Sequence, residues 1–186
     1  NKIKRRRTYI RAEQYQVWAN AVVSSKWVGE QNNDFRAYTN QDFLLLLALT
    51  GFRRTEAERL EWLNVDLAFG TIKVTDTKNG EDLMLPMGHI LWHIMRERKK
   101  RAHGLRYVFT DRVGNSHISD RRAVRVKISE ECGVPFTFHD LRRTFSSVAN
   151  SLAIGSYTIK RLINHTTEDN ANDVTDGYVQ VSFDDL

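Results

Sequence analysis

Apolar residues recur at helical spacing over residues 11–24, at Ala12, Tyr15, Val17, Trp18, Ala21 and Val22, which predicts an amphipathic first helix. The next run differs in kind. Residues 43–49 are apolar nearly all round, so the helix predicted over 41–50 is expected in the core, with Asn40 as its N-cap and Gly51 as its end. A short helix is predicted over 54–62. The period then changes: two strand-like runs, 71–75 and 82–86, flank Lys78-Asn79-Gly80, and Asn-Gly between such runs predicts a β-hairpin.

Helical spacing returns over 88–102, with Ile90, Leu91, Ile94 and Met95 on the apolar face and a basic tail. Tyr107-Val108-Phe109 is predicted as a short third strand, and Ser119 as the cap of a helix running towards Glu131. Helices over 138–152 and 157–164 and a short segment over 174–179 complete the pattern. The expected fold is mainly α with one small antiparallel sheet, an α+β arrangement. With 186 residues, the chain is long enough for one domain with its own core. No internal repeat or Pro/Gly-rich linker interrupts it. Residues 1–7 read as a basic interdomain arm and 8–186 as one domain, and the chain is expected to be part of a longer protein.

Charge sharpens this picture. The chain carries 28 Lys+Arg against 23 Asp+Glu, a net charge of +5 and a pI near 9.4. Basic residues gather at 2–7, 96–106 and 121–127, acidic ones at 56–66 and 168–185. Clustered positive charge attracts nucleic-acid phosphates. No apolar run approaches the ~20 residues that span a bilayer, and residues 1–7 are not followed by the apolar stretch of a secretory signal. The single cysteine, Cys132, excludes an internal disulfide and fits a reducing compartment. It is expected to be buried at a helix end closed by Gly133. His89 and His93 stand at i, i+4 but lack the glutamate of His-Glu-X-X-His, so they read as an ordinary helical pair, not a metal site.

The chemistry concentrates in His139-Asp140-Leu141-Arg142-Arg143-Thr144-Phe145, followed by His165 and Tyr178. His139 and Arg142 share one helix face, which joins a proton-handling imidazole to a fixed positive charge. A phenol has a pKa of about 10, and presenting it as phenolate near neutral pH costs roughly 4 kcal/mol unaided. A base and cationic neighbours supply much of that. Thr50-Gly51-Phe52-Arg53-Arg54-Thr55-Glu56 places a second arginine, Arg53, directly after a buried helix, and Lys78 lies at or beside the hairpin tip.

These elements together resemble the tyrosine recombinase (phage-type integrase) family from about Thr8 to the end. The family pattern is an arginine after Thr-Gly-X, a hairpin lysine, His-X-X-Arg, a second histidine and a tyrosine. Arg53, Lys78, His139 with Arg142, His165 and Tyr178 follow that order. Two departures stand out. Ile163-Asn164-His165 replaces the usual Leu-Gly-His, and asparagine is the residue that best substitutes for glycine in left-handed geometry. Thirteen positions separate His165 from Tyr178 (178 − 165 = 13), a longer spacing than in most relatives.

The resemblance implies the catalytic-domain fold of that family and a site-specific recombinase or integrase activity on double-stranded DNA. Tyr178 is expected to attack a phosphodiester and form a 3′-phosphotyrosyl intermediate, with Arg53 and Arg142 gripping phosphate oxygens. Lys78 is expected to protonate the leaving 5′-oxygen, His139 to help move the tyrosine proton and His165 to hydrogen-bond the scissile phosphate. No cofactor or metal is implied. Self-association into a synaptic tetramer on DNA, accessory DNA-bending proteins, a preceding core-binding domain and a bacterial cytoplasmic setting are also expected. The alternatives are a type IB-like topoisomerase, which shares the chemistry, and a DNA-binding module with a decayed site.

Overall fold

The computed structural model describes residues 8–25, 38–75, 82–111, 113–119 and 121–164. Lys78, His165 and Tyr178 lie outside these residues, as do the basic arm, the hairpin tip and the segment predicted over 174–179. A 3-10 turn (Ala12–Gln14) leads into helix α1 (Tyr15–Ser24), which buries Trp18 and Val22, one helical turn apart. Helix α2 (Thr39–Thr50) is the centre of the fold. Its Phe43, Leu44, Leu46 and Leu47 are essentially inaccessible, whereas Leu49 at the end of the same apolar run stays 40% exposed. The burial is therefore one-sided at the helix end.

Helix α2 starts at Thr39, so Asn40 lies within its first turn instead of capping it. Arg98 accounts for the earlier start, because it donates to both Thr39 Oγ1 and Asp42 Oδ2 at 3.0 Å. Gly51 closes α2 in the left-handed region, at φ 67°. Helix α3 (Arg54–Glu58) is shorter than predicted. The chain turns extended at Glu61, which bridges to Tyr107, and a 3-10 turn (Trp62–Asn64) follows.

The sheet is antiparallel with order β1-β2-β3: β1 (Val65–Asp66), β2 (Thr71–Val74) and β3 (Leu83–Pro86). Ile72 pairs with Val65 on one side and Leu85 on the other, which puts the buried face on the core. The third strand is thus β1 and not the predicted 107–109 segment. Tyr107-Val108-Phe109 instead packs inward and uses its backbone against Leu60 and Glu61.

Helix α4 (His89–Lys100) buries Leu91, Met95 and Arg98, at i, i+4 and i+7. Ile90, expected on the apolar face, is 64% exposed, because the buried stripe runs through Arg98 instead. Helix α5 (Arg122–Cys132) begins after Arg121, not at Ser119, and ends at Gly133 with φ 66°. Cys132 is half-buried there, its sulfur 3.9 Å from the Val134 carbonyl. Helix α6 (Phe138–Ser151) and helix α7 (Ser156–Leu162) match the predicted helices to within two residues.

Aromatic contacts tie the layers together. Phe43 of α2 meets Phe109 and Phe138 edge to face, and Trp18 of α1 meets Phe136 just before α6. Helix α2 packs against α6, α4 and α1. Its C-terminal end therefore lies against the helix that carries His139 and Arg142. No described helix is long and apolar enough to cross a membrane.

Candidate active site

The two sequence motifs are brought together by packing. Thr50 Oγ1 bonds back to the Leu46 carbonyl at 2.7 Å and accepts the Phe52 N–H at 3.2 Å, which fixes the exit of α2. Gly51 sits between them. A Cβ there would stand 2.8 Å from Phe145 Cδ1 and 3.1 Å from Ile163 Cγ2, and its positive φ disfavours side chains in any case. Glycine thus permits close approach of α2, α6 and the end of α7. Its carbonyl accepts a hydrogen bond from Arg142 Nη1 at 2.7 Å.

Arg142 is nearly inaccessible, at 5% exposure. Its other terminal nitrogen, Nη2, donates to the Ile163 carbonyl. Neither hydrogen-bond partner carries charge. Arg53, just before α3, donates from Nη1 to Glu56 Oε1 at 2.7 Å and from Nη2 to the Asn164 carbonyl at 3.0 Å. The Glu56 carboxylate also accepts the Arg53 N–H at 2.7 Å, closing the start of α3. The two arginines therefore hold consecutive carbonyls of one short backbone segment. Asn164 takes φ 49°, the left-handed geometry expected from its place in Ile163-Asn164-His165.

Electrostatics follow from this crowding. Burial, then the positive charge of Arg53, lowers the Arg142 pKa to about 10, and Glu56 opposes the shift. Arg142 stays protonated at neutral pH, with no carboxylate hydrogen-bonded to it. His139, on the first turn of α6, has its pKa lowered by partial desolvation and then by Arg143 and Arg142, with Asp140 opposing. It is therefore mainly neutral near pH 7 and able to accept a proton.

Asp140 fixes this turn. It is buried, with Oδ2 accepting from Thr137 N at 2.9 Å and Thr137 Oγ1 at 2.8 Å. Its Oδ1 accepts from Thr8 Oγ1 at 2.9 Å and Arg143 Nη1 at 3.3 Å. One turn on, Thr144 Oγ1 accepts the Ile10 N–H at 2.9 Å. A depression of about 390 Å³ opens beside it, lined by Tyr9, His139, Arg142, Arg143, Ser146, Ser147 and Ile163. Its polar side chains are hydrogen-bond donors or hydroxyls, with no carboxylate among them, so it is suited to an anion. A second cavity of about 400 Å³, between α3 and the hairpin, mixes Glu56 and Glu61 with Arg59 and Lys73 and lacks that single sign.

Of the predicted residues, Arg53, His139 and Arg142 converge. Sequence reasoning passed over Glu56, Asp140 and Tyr9. The spacing of Thr137 and Asp140 is that of a capping box, and this was the available signal for Asp140. Tyr9 had no such signal, since its position depends on long-range contacts. His89 and His93 are exposed on α4, and among the described residues no group of three metal-ligating side chains forms.

The chain matches the phage integrase family over residues 25–183 and belongs to that family. Three solved structures are similar in fold. XerH site-specific recombinase bound to difH substrate in a pre-cleavage complex has a TM-score of 0.71 at 14% identity, covering 88% of this chain and 49% of that one. A lambda integrase dimer bound to a COC′ core site gives 0.65 at 19% identity, covering 89% and 60%. The integrase from mycobacterium phage Brujita gives 0.63 at 22% identity, covering 95% and 57%. This chain thus spans about half the length of XerH. Among curated proteins no sequence match is found.

Proposed function

We propose that this chain is the catalytic domain of a site-specific DNA recombinase, acting by transient tyrosine attachment to DNA. The observation that carries the reading is the convergence of Arg53, Arg142 and a neutral-leaning His139 beside a depression free of carboxylates. A guanidinium has five N–H donors, and Arg142 uses two on backbone carbonyls, leaving donors for phosphate oxygens.

In the proposed reaction the Tyr178 oxygen attacks the scissile phosphorus and the bond from phosphorus to the 5′-oxygen breaks. His139 receives the phenolic proton, and Lys78 delivers one to the leaving oxygen. Arg53, Arg142 and His165 hold the non-bridging oxygens as charge gathers there. A 5′-hydroxyl from another strand then attacks the 3′-phosphotyrosine, giving its proton to Lys78. The bond from phosphorus to the Tyr178 oxygen breaks, the released phenolate regains its proton from His139, and the phosphodiester is restored. The bond energy is conserved in the covalent link, so the step needs no cofactor.

The partner is double-stranded DNA, supported by the basic clusters and by the DNA-bound states of XerH and lambda integrase. A core-binding domain preceding the arm at residues 1–7, a synaptic tetramer, accessory bending proteins and a bacterial cytoplasmic setting complete the proposal.

A nicked suicide duplex tests it. The full-length protein should form a covalent adduct, and mass analysis of the trapped peptide–oligonucleotide should place the link on Tyr178. Tyr178→Phe should abolish the adduct. No adduct from the wild type, or equal adduct from Tyr178→Phe, overturns the reading. A relaxation assay beside a two-site recombination assay separates recombinase from topoisomerase.

A further inference from the structure

We infer that Tyr9 is a further DNA-contact residue of this site, donating its phenolic hydrogen bond to a phosphate adjoining the scissile one. The inference rests on the recombinase reading above and adds a residue that the family pattern does not contain. Tyr9 lines the same depression as His139 and Arg142, although it is more than one hundred positions away in sequence.

Its presentation is built. On one side Thr8 is bonded through Oγ1 to Asp140, and on the other the Ile10 N–H is bonded to Thr144, with the Ile10 side chain only 1% exposed. Both anchors lie on α6, each two residues from Arg142. The backbone at Tyr9 is thus pinned twice to the helix bearing the proposed chemistry. Tyr9 itself remains 46% exposed, and its hydroxyl makes no hydrogen bond among the described residues. A half-exposed aromatic whose backbone is held beside a basic depression offers a hydrogen-bond donor with its backbone ordering cost met by the fold.

The geometry of DNA supplies the ligand. Each strand carries a phosphate about every 3.4 Å of helix axis, so a depression receiving one phosphate has neighbouring phosphates at its rim. Tyr9 lines that depression and is half-exposed to solvent. Arg143 shares the depression but is engaged by Asp140 and by the Thr8 carbonyl at 3.5 Å. Tyrosine is neutral, so its contact releases no counterion, and this separates it from an added arginine or lysine contact.

The test uses the full-length protein and a suicide duplex carrying a neutral methylphosphonate at either neighbour of the scissile phosphate. Tyr9→Phe should raise the half-saturating DNA concentration about three- to tenfold, the scale of one lost hydrogen bond. Cleavage at saturating DNA and the salt slope should stay as in the wild type, and the melting temperature should not move. One of the two methylphosphonates should weaken the wild type while leaving Tyr9→Phe little further affected. Wild-type affinity in Tyr9→Phe, or a loss that adds in full to both methylphosphonates, overturns the inference. Absence of a wild-type adduct on the unmodified duplex instead overturns the recombinase reading itself.

Discussion

Arg98 and Arg142 are both buried arginines, and in both the guanidinium pKa is brought down to about 10, first by burial. Their surroundings differ. Arg98 meets the carboxylate of Asp42, the hydroxyl of Thr39, the carbonyl of Val108 and the face of Phe109 at 4.5 Å. Its charge is answered within the protein, and it fastens α2 to α4 and to the 107–109 segment. Arg142 has only neutral carbonyls as hydrogen-bond partners and another arginine as its next strongest influence. A buried charge with no bonded carboxylate is costly, and such a charge is a candidate for receiving an anion. The comparison separates an arginine that completes a core from one bonded only to neutral carbonyls, to which the proposed function assigns a phosphate.

The largest expected effect tests the first of these roles. Arg98→Met should cost about 3–5 kcal/mol of stability, since Asp42 is left buried and unpaired. Chemical denaturation measures it, and adding Asp42→Leu should recover most of the loss. Arg142→Gln should do the reverse. It should slow adduct formation by about 10²–10³-fold, the scale of one lost oxyanion donor, while costing much less stability than Arg98→Met. Equal destabilisation by the two variants, with cleavage following the folded fraction, would erase the distinction between them.

The smallest effect concerns the surplus charge around Arg142. In the proposed reaction His139 must be neutral to accept the phenolic proton, and its pKa lies below the usual value of 6.5. Cleavage should therefore fall as pH drops through that lowered pKa, at lower pH than an ordinary histidine would give. Arg143→Gln removes one of the positive charges responsible, so the acidic limb of the pH–rate profile should move to higher pH. A limb that stays in place would show that another group controls it.

The elements built on local patterns were legible in the sequence. The apolar run from Phe43, the glycine closing α2 and the helices starting at Phe138 and Ser156 follow from periodicity and capping. Arg98 was not, because its charge placed it in a basic cluster, although its i+7 spacing from Leu91 continued the buried stripe. Tyr107-Val108-Phe109 has strand composition, yet burial and a single bridge decide its role. At the proposed site, Arg53, His139 and Arg142 were candidates from motifs alone. Their convergence through Gly51, Phe145 and the carbonyls of Ile163 and Asn164 is tertiary and could not be named that way.

The grip on those two carbonyls has an evolutionary side. The polypeptide leaves the arginines from a fixed point at Asn164, so whatever follows can change length without rebuilding the basic cluster. Closing a flexible segment costs only about 0.6 kcal/mol more for each doubling of its length. On the proposed reading, changing the number of residues between His165 and Tyr178, twelve here, would carry a cost of that order. Spacer length would then be a dial that insertions and deletions can turn, tuning how readily the proposed nucleophile is delivered while the described arginine cluster stays unchanged.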